Sequence, residues 1–233
     1  MTRSNSGLKI LGLCGLALGL MCFMSSAAQA QAGAAWRVNG ANITAPLKPG
    51  IKGVVENEAL SLLSKILGIA VKILCKALSM TSTLGTEGGV NEGKMQYSGC
   101  ATFLEGSATA SAPCLPKTAG VNDVIETNAV LGLLVLVGGV GEILIKPSKE
   151  GGPLVVIESS AECAVGQKMT ITGEIYLKDC QGKIKDELVT HLLEPDNVNS
   201  TVKISGQATV YDGSLNVTLT GAHNGLKWSG QPA

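Results

Sequence analysis

The sequence predicts a mainly β chain, folded as an antiparallel β-sandwich or barrel-like domain. Three observations carry that expectation. Apolar and polar residues alternate with period two through much of the C-terminal half, as they do on a strand with one buried face. Gly accounts for 30 of 233 residues, well above the usual share of about 7%, and supplies tight turns. Turn-forming clusters such as Asp212-Gly213 and Pro195-Asp196-Asn197 recur between short apolar runs.

The first thirty residues read as an export signal rather than as part of the fold. Arg3 and Lys9 form a positive start, Ile10 to Met24 is an apolar stretch, and Ala28-Gln29-Ala30 places small residues where a signal peptidase cuts. The apolar run is shorter than the roughly 20 residues a membrane-spanning helix needs. Cleavage after Ala30 leaves 203 residues (233 less 30), read here as one exported domain over 31–233. The cut removes two of 18 basic residues and no acid, so 16 basic residues face 18 acidic ones. A charge that close to neutral lacks the basic surface that phosphate neutralisation requires, so nucleic acid is not an expected partner. Only 15% of residues are charged and mean hydropathy is +0.30, which also argues against a disordered, self-repelling chain.

Along the remaining chain, Glu58 to Met80 carries two patterns. At 100° per residue Glu58, Lys65, Lys72 and Lys76 fall near one line, which predicts a single amphipathic helix. Yet Ile69, Val71, Ile73 and Cys75 alternate with Ala70, Lys72, Leu74 and Lys76, which predicts a strand. Length slightly favours the helix, and Gly68 could divide two elements. The stretches 81–94 and 107–118 are rich in Gly, Ser and Thr and read as turns and loops. Ala129 to Ile145, the most apolar part, predicts two buried strands turning at Gly138-Gly139, with Pro147 as a stop. Further strands are expected at Leu154 to Ile157, across Met169 to Leu177, and at Val189 to Leu193. Thr201 to Val210 and Leu215 to Leu219 read as the two arms of a hairpin turning at Asp212-Gly213, with Val202, Ile204, Ala208 and Val210 on one face.

Motifs for chemistry are sparse. His191 and His223 are the only histidines, and there is no CxxC or H-x-x-x-H, so no zinc ligand set is expected. No G-x-S-x-G marks a nucleophile, Gly138-Gly139-Val140-Gly141 lacks the Lys-Ser/Thr of a phosphate loop, and no cofactor motif occurs. His191 falls in an expected strand and reads as structural, while His223 lies in a turn-like loop. Ser229 follows a strand rather than a strand-to-helix turn. Trp36 and Trp228 sit near opposite ends of the exported chain, and pairing of the first and last strands would bring them together as a core plug. Five cysteines remain after cleavage: Cys75, Cys100, Cys114, Cys163 and Cys180. Export implies an oxidising compartment and therefore disulfides. An odd count leaves one thiol over and allows 15 two-bridge schemes.

Several of these pieces form one pattern. It runs from Trp36-Arg37-Val38-Asn39-Gly40 through Cys75-Lys76, Gly99-Cys100, Cys114, Ile145-Lys146-Pro147 and Glu162-Cys163 to Gly221-Ala222-His223-Asn224-Gly225-Leu226-Lys227-Trp228. That pattern resembles a family of uncharacterised exported bacterial β-rich proteins. The resemblance implies that Cys75, Cys100, Cys114 and Cys163 belong to the shared framework and that Cys180 is unpaired. Cys100 with Cys114 is the preferred bridge on that basis, leaving Cys75 with Cys163, and Cys163 with Cys180 is the rival. The resemblance also moves Glu58 to Met80 toward strands.

Together these readings point to a secreted or periplasmic, non-enzymatic structural or interaction protein, with no catalytic, metal or cofactor site assigned. A secreted hydrolase is the alternative from another class, and its sign would be a cleft holding His191 or His223 against Ser and carboxylate groups. A membrane- or lipid-binding protein is the third reading, through Ala129 to Ile145 or Glu58 to Met80. Self-association is compatible with all three.

Overall fold

The computed structural model describes residues 33–56, 60–181 and 183–233. The export signal expected over residues 1–30 lies outside them. Among the described residues the regular secondary structure is all strand apart from two 3-10 turns, Ala112–Cys114 and Gly221–His223.

Eight strands close a barrel. In order around it they are Leu47–Val55, Ala77–Leu84, Gly89–Ser98, Val130–Val137, Val140–Pro147, Ile175–Asp179, Thr190–Pro195 and Leu215–Leu219, and the last pairs back to the first. Every pairing is antiparallel, and the spatial order is the chain order. A second sheet repeats this logic without closing. Its strands Leu60–Ile66, Ile69–Cys75 and Ala101–Leu104 lie on one side. Gln207–Asp212, Lys203–Ile204, Lys168–Thr172, Val155–Glu158 and Lys117–Thr118 continue it on the other. Val121–Asn122 adds a short edge strand on Lys117–Thr118. The chain shuttles between the two: strand pairs of the closed barrel continue as strand pairs of this half-barrel. The molecule is one eight-stranded meander, closed along one end and open between Ala101–Leu104 and Lys117–Thr118 along the other. The 3-10 turn Ala112–Cys114 lies in the loop between those two strands, tied to one side by the Ser111 N–H on the Thr102 carbonyl and to the other by the Ser160 N–H on the Pro113 carbonyl.

The period-two pattern sets which faces fill the interior. In the closed barrel Ile51, Val90, Val130, Leu134, Ile143, Ile145, Leu177, Leu193, Leu215, Val217 and Leu219 are buried. An eight-stranded barrel is just wide enough for side chains to fill, and this one is filled. In the half-barrel the same role falls to Leu60, Val71, Ile73, Ile157, Met169, Ile171 and Ile204. The far end of the closed barrel is plugged by a small sheet in which Ala35–Val38 pairs with Trp228–Gln231. Trp36 and Trp228 are fully buried there with ring centroids 5.7 Å apart, the pairing of chain ends expected from the sequence.

Four sequence expectations need correction. Leu60–Ile66 and Ile69–Cys75 are strands, so the described part of 58–80 holds no helix. Leu67 and Gly68 both have positive φ, 51° and 87°, which gives the two-residue turn that right-twisted hairpins prefer. The segment 81–94 is largely strand as well. Gln207–Asp212 and Leu215–Leu219 do not pair with each other: the first joins Leu60–Ile66 in the half-barrel and the second joins Thr190–Pro195 and Leu47–Val55 in the closed barrel. The hairpin turn is Ser205-Gly206 instead, with φ of 48° and 82°. It reverses the phase of the pattern, so Tyr211 points inward and Val210, expected with Val202 and Ile204, is 48% exposed.

The fourth correction concerns the cysteines. Cys75 bonds Cys100 and Cys114 bonds Cys163, so neither the Cys100–Cys114 nor the Cys75–Cys163 bridge is formed. Cys180 is a free thiol at the surface. The reason is register. Leu74 pairs with Ala101 and Ala77 with Ser98, which places Cys75 and Cys100 side by side where both strands pass from half-barrel to barrel.

Candidate functional site

The interior leaves little room for a guest. One void of about 40 Å³ lies where the closed barrel meets the half-barrel, lined by Leu62, Ile73, Met95, Thr127, Ile171 and Val202. The Tyr97 and Tyr211 hydroxyls face each other across it at 3.5 Å. Burial raises both phenols, Tyr211 well above its ordinary range with the neighbouring Tyr97 adding to it, so both stay neutral donors. A second void inside the closed barrel measures about 30 Å³. Either admits water at most, far below the roughly 300 Å³ at which organic-ligand sites begin.

His191 lies inside the closed barrel at its plugged end, fully buried beneath the edge of Trp228, with ring centroids 4.3 Å apart. Its Nδ1 meets the Asp179 carboxyl and its Nε2 donates to the Trp228 carbonyl at 2.9 Å. A carbonyl only accepts, so Nε2 carries the hydrogen of that bond. Asp179 and His191 are thus oriented like the base half of a catalytic triad, but both ring nitrogens are engaged and the ring has no path to solvent. Ser229 is buried in the terminal strand. His223 sits half-buried in the 3-10 turn Gly221–His223, away from this pair. The two histidines are not brought together, and neither lies in a cleft with Ser and carboxylate partners.

A charged row crosses the outside of the closed barrel. Register places Glu142 beside Lys178 and Lys178 beside Glu194. Glu142 is only 4% exposed, and its Oε2 has no hydrogen-bond partner among the described residues. Burial first, then the charge and hydrogen bond of Asp196, push its carboxyl from the ordinary 4.5 to about 7, with Lys178 opposing. Burial pulls Asp196 upward too, but the Val198 N–H, the Asn199 amide, Lys178 and Glu142 more than offset it, and its carboxyl ends below the usual range. The two carboxyls therefore share one proton. Cys180 adjoins this row. Burial and the hydrogen bond and charge of Glu194 push its thiol up to about 12, the reverse of an activated nucleophile.

A roomy concavity with a largely apolar lining lies on the outer face of the half-barrel. Direct cross-strand partners share a face, so Val210, Leu63, Lys72 and Phe103 form one outward row across four strands. Asp212, Ser61, Leu74 and Ala101 form the next row, and Lys203, Ala208, Lys65 and Ala70 the row on the other side. Val210 is 48% exposed and Leu63 38%. A groove of about 540 Å³ runs along Leu63, Ala70, Lys72, Leu74 and Phe103 and is walled by Gly106, Ser107 and Ala108. The wall is a braced turn. Ser107 N–H donates to the Leu104 carbonyl at 2.9 Å, and the Ser107 hydroxyl both donates to the Thr109 carbonyl and accepts from its N–H.

Sequence reasoning missed this face. It read Lys65 and Lys72 as the polar line of a helix and placed Val210 in the core. Phe103, the sole Phe outside the expected export signal, was the available hint. The row exists only through the pairing of strands far apart in the chain, which no single segment displays.

No family model, curated protein or solved structure matches this chain.

Proposed function

We propose that the protein is an exported, non-enzymatic interaction protein of the bacterial envelope or exterior, and that the outer face of the half-barrel is its binding surface. The observation that carries this reading is the outward row of exposed Val210, Leu63 and Lys72 and half-buried Phe103 beside its groove of about 540 Å³. A contiguous apolar patch interrupted by charge is costly to leave in water and marks binding sites on soluble domains. The surface is also stiff. Both disulfides brace the half-barrel, and a preformed surface loses little entropy on binding. Two buried disulfides fit an oxidising compartment, and the charge-free stretch after Lys9 supplies the export signal.

Nile red binding tests the surface. The folded chain binds the dye with one saturable site, and Leu63→Asp and Phe103→Asp each remove it. Val156→Asp, on the same sheet but outside the groove, leaves it unchanged. Equal dye binding by all four proteins, with unchanged circular dichroism, refutes the assignment. Export is tested separately: the full chain expressed in a bacterium yields a processed N terminus near Gln31 outside the cytoplasm, and an unprocessed cytoplasmic product refutes it.

A further inference from the structure

We infer that the groove takes a single-chain amphiphile with an anionic head, its tail lying along Leu63, Leu74 and Phe103 and its head at Lys72. This rests on the reading of the half-barrel face as a binding surface and adds the chemistry of the occupant.

Charge is the first argument. Lys72 is the only ionisable residue lining the groove, and register sets it between Leu63 and Phe103 on neighbouring strands. Lys65 and Lys203 lie on the same face, one row away. All three are exposed, and none has an ion-pair partner among the described residues. Two acids share this face, Asp212 in the row beside Val210 and Leu63 and Glu105 next to Ala70, but neither lines the groove. A lysine stem covers apolar surface while its ammonium seeks an anion or water, so Lys72 offers one cation within an otherwise apolar groove.

Shape is the second. A bilayer needs a flat or convex apolar face. Here the turn at 106–108 rises as a wall along one side of Phe103, braced through the Ser107 bonds and by the Ser111 N–H on the Thr102 carbonyl at 2.8 Å. A volume of about 540 Å³ suits one chain molecule, within the usual range of roughly 300–1,000 Å³ for small-ligand sites. The cation is a lysine rather than the planar fork of an arginine, so it selects negative charge and not head-group geometry.

Equilibrium dialysis below the critical micelle concentration tests this with dodecanoate, dodecyl phosphate and dodecyltrimethylammonium. The wild-type chain binds both anions with one-to-one stoichiometry, within threefold of each other and at least tenfold more tightly than the cation. Lys72→Gln and Lys72→Glu, each checked for native circular dichroism, weaken dodecanoate at least tenfold, and Lys72→Glu reverses the charge preference. An anion-over-cation preference below tenfold, or undiminished dodecanoate binding by the folded Lys72→Gln protein, overturns the proposal. Co-sedimentation with 1:1 phosphatidylglycerol/phosphatidylcholine vesicles without uptake of monomeric dodecanoate also overturns it, in favour of a bilayer. If Nile red still distinguishes Phe103→Asp from wild type when charge selectivity fails, the surface stands and only its occupant is wrong. If neither is seen, both fall.

Discussion

Cys75 and Cys100 are bonded at the place where their neighbouring strands leave the half-barrel and enter the closed barrel. On one side of the bond the pair Leu74 and Ala101 belongs to the open sheet, and on the other side Ala77 and Ser98 belongs to the barrel. The link therefore clamps two sheets through one pair of strands. Cys114 and Cys163 do the equivalent work where the half-barrel fails to close, joining the 3-10 turn Ala112–Cys114 to the loop after Val155–Glu158.

Removing the first bridge should loosen the junction more than either sheet. The cysteines are 25 residues apart, and the second pair 49 apart, which the chain-entropy model converts to about 3.5 and about 4 kcal/mol. Cys75→Ala with Cys100→Ala is expected to lower unfolding free energy in urea by about 3 kcal/mol. Hydrogen exchange should rise first at Cys100 and Lys76, whose amides bond the Asp123 and Ser98 carbonyls at this junction. Non-reducing peptide mapping that recovers a Cys100–Cys114 peptide would contradict the register from which the bridge follows.

The Asp179–His191 pair should behave as a buried pair of mutually satisfied polar groups does. Both side chains are inaccessible to solvent, and removing one partner leaves the other unpaired in a medium that cannot solvate it. Asp179→Asn or His191→Leu alone is expected to cost about 3–5 kcal/mol. Replacing both, as Asp179→Leu with His191→Leu, should cost clearly less than the sum of the two, since no buried polar group is then left without its partner. A double-mutant cycle in urea measures this. Additive costs would mean that the pair is not coupled.

How much of this was legible in the sequence depends on the range of the interaction. Short-range signals read well. Gly138-Gly139 turns Val130–Val137 into Val140–Pro147, and Leu215, Val217 and Leu219 face inward together; the one long-range pairing that read correctly, of the chain ends around Trp36 and Trp228, rested on the two tryptophans. What failed required knowing which strand neighbours which. Asp212-Gly213 has turn chemistry, but only Gly213, at φ 114°, takes positive φ there, and the chain crosses between sheets instead of reversing. Ser205-Gly206 carries a weaker signal, yet both of its residues adopt the turn conformation. The shortest cysteine loop was favoured, whereas sheet register chose the partners. The candidate site was the least legible part, because Val210, Leu63, Lys72 and Phe103 come from four strands.

Glu142 makes stability depend on pH in a defined direction. Its folded-state carboxyl titrates at about 7, above its ordinary 4.5, so between those values the native chain holds a proton that the unfolded chain has lost. Stability is fully present below about 4.5 and declines as pH rises through 7. Its charged neighbours Lys178 and Asp196 reach solvent, and their screening limits the effect to about 1–2 kcal/mol. Asp196, held low, acts at the other end: its contribution is present above the ordinary value of 3.8 and is lost in stronger acid. Glu142→Gln is expected to remove the decline between pH 5 and 7.5 while matching wild type near pH 5. Parallel stability profiles for both proteins over that range would show that the shared proton does not contribute.

Gly173 offers the sharpest test of how the meander bends between its two levels. It separates Lys168–Thr172 in the half-barrel from Ile175–Asp179 in the closed barrel and takes φ of 101°, a conformation that L side chains rarely adopt. A Cβ placed there would collide with the Thr201 carbonyl oxygen and lie 3.1 Å from the Val202 Cα. Both obstacles are backbone, and that backbone is held by the Thr201 N–H on the Glu174 carbonyl at 2.9 Å and the Glu174 N–H on the Thr201 hydroxyl oxygen at 3.1 Å. No rotamer change relieves the clash, so strain and displacement add. Gly173→Ala is expected to cost about 3 kcal/mol or more, whereas Gly206→Ala, also at positive φ but with no heavy atom within 4 Å of the new methyl, should cost about 1 kcal/mol. Urea unfolding of the two variants side by side separates conformational strain from collision. Equal losses would mean that the chain can open at Thr201 without cost, and the tight junction between barrel and half-barrel would have to be abandoned.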